Sequence, residues 1–305
     1  MVGEFLKKYF QFLTLCLIWG TTFAAIKIGS GSTPPMLGLA LRYLIALLLL
    51  FPIIKITRRK IPCDGASIRL YLVVGILSMG LSYLCTYWSM NYIPSSLSSI
   101  LWATLPLFNG IFAHLFVLNE RMNLRRLLSV LLALVGVTLI LSDQRLVFST
   151  EVLIGCLVVL LGVVFAAYPN VYIKNFRGPM DPLILTATSL VVGGAMHLVG
   201  ALVTGQFATM TWSLRNVGAA AYLGIFGSAA AFFIYFSLLQ QFEVVKVSFV
   251  TFLTPVVASV VGLIFLHETI TLQEIFGILF IFSGLFMYDF RKYFRFFNRL
   301  QLKRQ

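Results

Sequence analysis

Acidic side chains are scarce in this sequence. Ten Asp and Glu stand against 23 Lys and Arg in 305 residues, and charged residues of both signs make up only 11%. No two aspartates share an apolar run, and no acidic residue sits clearly at the middle of one. The three histidines, His114, His197 and His267, are far apart, and no cysteine lies near any of them. An intramembrane protease or lipid transferase would need a nucleophile with its base, paired aspartates or a metal cluster, so these absences argue against an enzyme. Cys16, Cys63, Cys85 and Cys156 are scattered and show neither a disulfide frame nor metal-ligand spacing. No metal or other cofactor is expected.

Apolar surface is what the chain has in excess. Hydrophobic residues make up 60% and the mean hydropathy is +0.97, more than a water-soluble domain of this length can hide. A bilayer core about 30 Å thick needs roughly 20 apolar residues per helix, whereas barrel strands would be short and alternate in polarity. The runs here are long and continuous, so spanning helices are expected at 9–30, 35–55, 69–91, 94–117, 124–142, 152–173, 182–204, 216–240, 245–266 and 272–290. Gly, Pro, Asn or charge marks most of the short joins, which makes successive helices antiparallel neighbours. Lys7 and Lys8 ahead of an apolar run, followed by Phe23-Ala24-Ala25, resemble a cleaved signal peptide. The same pattern returns in mid-chain at Phe165-Ala166-Ala167, so the segment is read as the first permanent span.

One half of the chain is a divergent copy of the other. Residues 75–106 align without a gap on 224–255 at a constant offset of 149, which pairs Gly75 with Gly224, Ser99 with Ser248 and Pro106 with Pro255. Five spans per copy is an odd number, so the second copy enters the membrane from the opposite side. Basic residues fix the orientation: nineteen fall on the segments that are cytoplasmic if the amino terminus is, against Arg145 and Arg215 outside. The expectation is an all-α integral membrane protein of ten transmembrane helices in two inverted five-helix repeats, 9–142 and 152–290, with both termini cytoplasmic. The net charge of +13 follows from these inner loops and from a basic cytoplasmic tail, 291–305, suited to anionic headgroups rather than to nucleic acid. Inverted repeats are the architecture of secondary transporters, in which one scaffold opens to either side in turn.

Polar residues form stripes on corresponding helices. Ser95, Ser99, Trp102, Pro106 and Asn109 recur at three- and four-residue steps in the fourth span, and Ser248, Thr251, Pro255, Ser259 and Gly262 do so in the ninth. Such stripes avoid lipid and face protein or a wet cavity; ordinary packing of small residues gives the same pattern. Pro106 and Pro255 free a backbone carbonyl one turn back and are candidate helix-bending points. Trp19, Tyr83, Tyr87, Tyr168 and Tyr235 would supply an aromatic wall near the midplane, with Asn170 to fix a polar end, as suits a small amphipathic solute. Lys27 and Arg42 are ionisable residues within spans and are site candidates on that ground, although both could also snorkel. Glu268 at the outer end of the ninth span is a candidate gate partner for Lys27. Its counterpart Glu120, near Arg121, Arg125 and Arg126, reads as a helix-end group.

Trp19-Gly20 through Phe23, Ala24, Ala25 and Lys27, then Pro34-Pro35, Ala40 and Arg42, resemble the opening of the EamA family in the drug/metabolite transporter superfamily. Leu105-Pro106 to Asn119-Glu120 and Thr254-Pro255 to His267-Glu268 resemble its recurrent Pro-to-Glu segment. The resemblance covers nearly the whole chain. It implies a ten-helix inner-membrane carrier, often an exporter of amino acids or related metabolites, with a central cavity lined by the first, third, fourth, sixth, eighth and ninth spans. On matching positions it supports Trp19, Lys27, Arg42, Trp102 and Tyr168. One departure is Tyr168-Pro169-Asn170 where the first copy has Ile26-Lys27-Ile28, so the second copy lacks that charge. The implied function is export of a small-molecule substrate by alternating access, with proton coupling as a candidate driving force. The alternatives are a multidrug or nucleoside and nucleotide-sugar type carrier of the same superfamily, and, in other classes, an intramembrane enzyme or a structural or receptor protein.

Overall fold

The computed structural model describes residues 2–30, 33–118, 120–141, 149–210, 213–265 and 271–302; the side chains of 2–5, 23, 24, 27–30, 95, 96, 141, 258–265, 274 and 289–302 are left aside. Among the described residues the regular structure is all helical. In chain order the helices are α1 (Val2–Ser30), α2 (Pro35–Ile56), α3 (Gly65–Ser89) and α4 in two segments (Ser95–Trp102 and Leu105–Phe116), then α5 (Leu124–Leu141) and α6 (Thr150–Asn175). They continue as α7 (Pro182–Val203), α8 (Leu214–Gln241), α9 in two segments (Val244–Ser248 and Val250–Phe265) and α10 (Leu272–Leu302). Six of them, α2, α3, α4, α6, α7 and α8, are long and apolar enough to cross a membrane, and α9 and α10 carry shorter apolar stretches. Leucines such as Leu48, Leu157 and Leu202 remain exposed on these helices. Lipid is the solvent that removes their penalty.

The boundaries differ from the sequence expectation where local polar chemistry intervenes. Helix α3 begins four residues early because the Asp64 side chain accepts from the Ala66 and Ser67 N–H groups, an N-cap hidden in a basic loop. Helix α10 does not stop at 290 but runs through the basic segment to Leu302. Two wide π-helical turns, Val74–Ser82 in α3 and Leu223–Ala230 in α8, occupy equivalent positions of the 149-residue repeat. Nothing in the apolar pattern distinguishes them from ordinary helix.

The two halves contact each other reciprocally. A Cβ on Gly75 would lie 2.5 Å from Val192 Cβ and 3.0 Å from the Ser189 carbonyl, and one on Gly224 would lie 2.9 Å from Ile45 Cβ and 2.7 Å from the Arg42 carbonyl. Arg42 and Ile45 thus stand to α8 as Ser189 and Val192 stand to α3. Helices α5 and α10 pack in the same manner: Gly277 sits on the Gly136 carbonyl and Gly284 on that of Ser129. Index falls in one helix as it rises in the other, so the pair is antiparallel. Even the helix ends match. Helices α2 and α7 both stop at a threonine, Thr57 and Thr204, whose hydroxyl folds back one turn, and both continue into a left-handed residue, Arg58 (φ 51°) and Gly205 (φ 65°).

Candidate functional site

A narrow cleft opens between α1, α3, α4 and α9. Trp19, Thr22 and Ile26 of α1 line it with Tyr83 and Thr86 of α3, Trp102 of α4, and Thr251 and Thr254 of α9. The break in α4 at Ala103 and Thr104, just ahead of Pro106, holds Trp102 against α3, where its Nε1–H donates to Thr86 Oγ1 at 3.0 Å. Thr86 in turn donates to the Ser82 carbonyl at 3.0 Å. On the other wall hydroxyls fold back along α9: Ser248 donates to Val245 O, Thr251 to Ser248 O and Thr254 to Thr251 O at 3.0 Å. That last carbonyl is the one Pro255 cannot serve, and the Thr254 hydroxyl satisfies it within a continuous helical segment. Helix α9 instead breaks at Phe249, so of the two prolines only Pro106 adjoins a break.

The cleft holds about 50 Å³ of free space, room for a few waters; a bound drug-sized solute takes roughly 300 Å³ or more. Its walls must therefore part to admit one. Below it, rings close the path: Trp19 lies 5.1 Å from Tyr235 and 6.0 Å from Phe232, and Phe232 lies 5.7 Å from Tyr83. Beneath the rings Asn170 Nδ2 donates to Asn109 Oδ1 at 3.2 Å. One turn further along α6, Lys174 Nζ donates to the Leu239 and Phe242 carbonyls and lies 3.6 Å from Glu120. The other carboxylate oxygen of Glu120 accepts from Val244 N–H at 2.8 Å, at the start of α9. Glu243 pairs with Arg126 and Lys246, each at 3.0 Å. These ion pairs tie the ends of α4, α5, α6, α8 and α9 together.

Several expected site residues are elsewhere. Arg42 is not in the cleft: fully buried, it donates from Nε to Ser228 Oγ at 2.6 Å, from Nη2 to Gly227 O at 2.9 Å and from Nη1 to the Tyr87 hydroxyl at 3.3 Å. Its guanidinium stands 4.8 Å over the Tyr83 ring, so its charge is one ring away from the cleft. Tyr87 is accordingly a partner of Arg42 rather than a cleft wall. Tyr168 is exposed and packs edge-on against Phe112 and Phe116, two residues along α6 from the buried Asn170. Glu120 turns from the arginines beside it to Lys174 and Val244. Ser99 and Ser248 are buried on α4 and α9. The Lys27 side chain and Glu268 lie outside the described residues, and with them the expected gate pair.

Sequence reasoning missed Ser228, Lys174 and His197. The His197 ring reaches the Met79 carbonyl in the π-turn of α3 at 3.1 Å, beside the Tyr43 hydroxyl at 2.8 Å. Only the match between the two π-turns, absent from side-chain type, could have exposed the partnership.

The profile of the EamA-like transporter family matches residues 6–142 and matches again at 153–288. The chain belongs to the EamA-like transporter family. Over 286 residues it is 31% identical to the uncharacterized transporter YoaV of Bacillus subtilis, covering 93% of this chain and 97% of that one. It is 25% identical to the uncharacterized inner membrane transporter YedA of Escherichia coli K12, over 85% and 83% of the two chains. It is 26% identical to the protein PecM of Dickeya dadantii, over 91% and 90%. A solved structure with 17% identity superposes with a TM-score of 0.77 over 92% of this chain and 96% of its own, which establishes a shared fold. This EamA-like chain is thus a multi-pass membrane protein of a transporter family.

Proposed function

We propose that this EamA-like protein is a secondary transporter that exports small amphipathic metabolites, amino acids among them, across the cytoplasmic membrane by alternating access. Ten spans in two inverted repeats with both termini cytoplasmic provide the scaffold. The matching contacts of Gly75 with α7 and of Gly224 with α2, and the antiparallel pairing of α5 with α10, support that inversion, as does the double family match. The observation that carries the reading is the cleft itself. Helices from both halves supply rings and hydroxyls to one cleft, and ion pairs about Glu120 and Glu243 join the ends of α4, α5, α6 and α9, where they would serve as a gate. Opening those pairs while the cleft closes would expose one site to each side in turn. Trp102 on the cleft wall, Asn109 in the layer beyond it and, from its place in the sequence, Lys27 are the proposed solute contacts.

A counterflow screen in proteoliposomes tests it, across amino acids, nucleosides and cationic drugs, with and without a pH gradient. Saturable counterflow of at least one metabolite is expected. Stimulation by the gradient would assign proton coupling, and preference for cationic drugs would favour a multidrug carrier. Failure of every class to exchange overturns the reading.

A further inference from the structure

A cavity of about 610 Å³ lies away from the ring-lined cleft, where the ends of α2 and α3 meet the start of α7. Its size is that of a small-molecule site, and both halves of the chain build it. Arg59, Lys60 and Ser67 come from the join after α2 and the first turn of α3, and Asp181, Ile184 and Leu185 from the cap and first turn of α7. Arg59 ties the halves together here. It stands one residue past the left-handed Arg58, and its guanidinium donates to Asp181, the N-cap of α7. Gln206 is its equivalent. One residue past the left-handed Gly205 that follows α7, it reaches the start of α2, where its Oε1 accepts from the Met36 and Leu37 N–H groups at 3.1 and 3.2 Å. The Gln206 tie covers bare backbone that Pro34 does not cap, whereas the Arg59 tie is an ion pair lining a cavity.

The charges around this cavity are not balanced. Asp181 is spent: one carboxylate oxygen accepts from Leu183 N–H at 2.8 Å and the other from Arg59. Asp64 nearby accepts from the Ala66 and Ser67 N–H groups and from the Ser67 hydroxyl. Lys60 makes no ion pair among the described residues, and Arg59 gives one guanidinium nitrogen to Asp181, so donors remain in excess. Lys55, Arg58 and Arg69, close by in the sequence, add to the positive field. Much of the remaining lining is apolar, with Leu70, Ile184 and Leu185 each 1% exposed. An anion with several acceptor oxygens on an apolar body satisfies both parts. An ammonium is repelled by Lys60 and Arg59, and a wholly polar anion leaves the apolar lining uncovered.

We propose that this cavity binds a phosphate-headed anionic amphiphile, with Lys60 and Arg59 on the phosphate and Leu70, Ile184 and Leu185 against the apolar body. Basic pockets between helices at the cytoplasmic face take phospholipid head groups in this way, and a soluble organic phosphate offers the same chemistry. The inference goes beyond the transporter reading, because the site is separate from the cleft. An occupant bridges the two halves beside the Arg59–Asp181 pair and so stiffens α2 against α7.

Native mass spectrometry of the full chain in detergent separates the two sources. Phosphatidylglycerol and phosphatidylcholine with the same chains test a lipid occupant, and hexyl phosphate tests a soluble one. A single saturable phosphatidylglycerol, held about fivefold tighter than phosphatidylcholine and raising the melting midpoint, is the expected result. Saturable binding of hexyl phosphate without that lipid preference supports the site with a soluble occupant. Lys60→Gln should weaken the tight event about fivefold. Pro62→Trp fills the cavity without changing its charge and should remove the event. Lys55→Gln, in the same basic stretch but outside the lining, should leave it intact. Equal weakening by Lys55→Gln and Lys60→Gln would mean diffuse attraction to a basic surface and overturns the proposal. So does unaltered binding in Pro62→Trp, or no saturable binding of either phosphatidylglycerol or hexyl phosphate. Binding is read without transport, so failure here leaves the transporter reading standing, and failure of the counterflow screen leaves this site standing.

Discussion

Arg42 Nη2 donates to the Gly227 carbonyl at 2.9 Å, across the boundary between the two halves of the chain. The acceptor lies in the π-turn of α8, and His197 and Tyr43 serve Met79 in the equivalent turn of α3. Wide turns leave carbonyls without their ordinary helical partners, and in a membrane interior no water replaces them. A polar side chain on α2 or α7 fills each gap. Ser189, the counterpart of Arg42 by contact, has a buried hydroxyl with no partner, so the symmetry of the backbone has outlived that of the side chains.

Arg42→Lys should therefore behave as a folding variant. Lysine cannot reproduce the planar fork that reaches Ser228, Gly227 and Tyr87 together, and a hydrogen bond from a charged donor contributes about 1.5–3 kcal/mol. The expected result is a clear fall in melting temperature in detergent and less monodisperse protein, with transport lost in proportion. Normal melting with abolished transport would place Arg42 in the site after all.

Trp102→Ala should do the opposite. The indole forms one wall of the cleft and one hydrogen bond, to Thr86, and it is not part of the ring plug between Trp19 and Tyr235. Counterflow should fall by about tenfold, equivalent to roughly 1.4 kcal/mol, while membrane insertion and melting stay near wild type. Unchanged kinetics would remove it from the path.

Much of this arrangement was legible in residue order. The 149-residue offset pairs the two π-turns, and the polar steps of α4 and α9 lead to Trp102, Asn109 and Thr251. What could not be read is which carbonyl a side chain reaches. Arg42 looks like a cavity charge until the π-turn supplies it with acceptors, and Tyr168 shares a motif with the buried Asn170 yet is exposed. Glu120 sits beside three arginines in sequence and chooses a lysine 54 positions away, because the ends of α4 and α6 converge.

The interface of α5 with α10 depends on bare backbone. A Cβ at Gly277 would stand 2.6 Å from the Gly136 carbonyl, and one at Gly284 2.5 Å from that of Ser129. Backbone cannot yield as a side-chain tip can, so Gly277→Val and Gly284→Val should each cost about 1–3 kcal/mol, read as lowered thermal midpoints. Gly218→Ala, with open space around its position, is the control and should change the midpoint little.

Helix α2 ends on a residue that glycine would suit better. Arg58 holds φ 51°, and Gly205 does the same work in α7 at 65°. A side chain in this region costs about 1–2 kcal/mol, so Arg58→Gly should raise the melting midpoint, provided the loop keeps Arg59 on Asp181. A lower midpoint would show that the guanidinium has a surface role that outweighs the strain.

Glu120 gives the ion-pair cluster a pH dependence with a definite sign. Burial pushes its carboxyl above the ordinary value, the Val244 N–H and Lys174 pull it back in part, and Glu243 adds to the rise. The other charges facing it are Arg126 and Lys246, which are engaged with Glu243. A raised value means that the closed arrangement binds a proton more tightly than a hydrated carboxyl does. Its advantage is fully present below the ordinary carboxylate range and is lost as pH rises through the raised value. Alkalinity should thus favour opening at this end. Spin labels at Leu118 and Gln241 in a cysteine-free background should report a growing long-distance population as pH increases across that window, and Glu120→Gln should flatten the response. A longer distance on acidification would reverse the sign and assign the proton to another group.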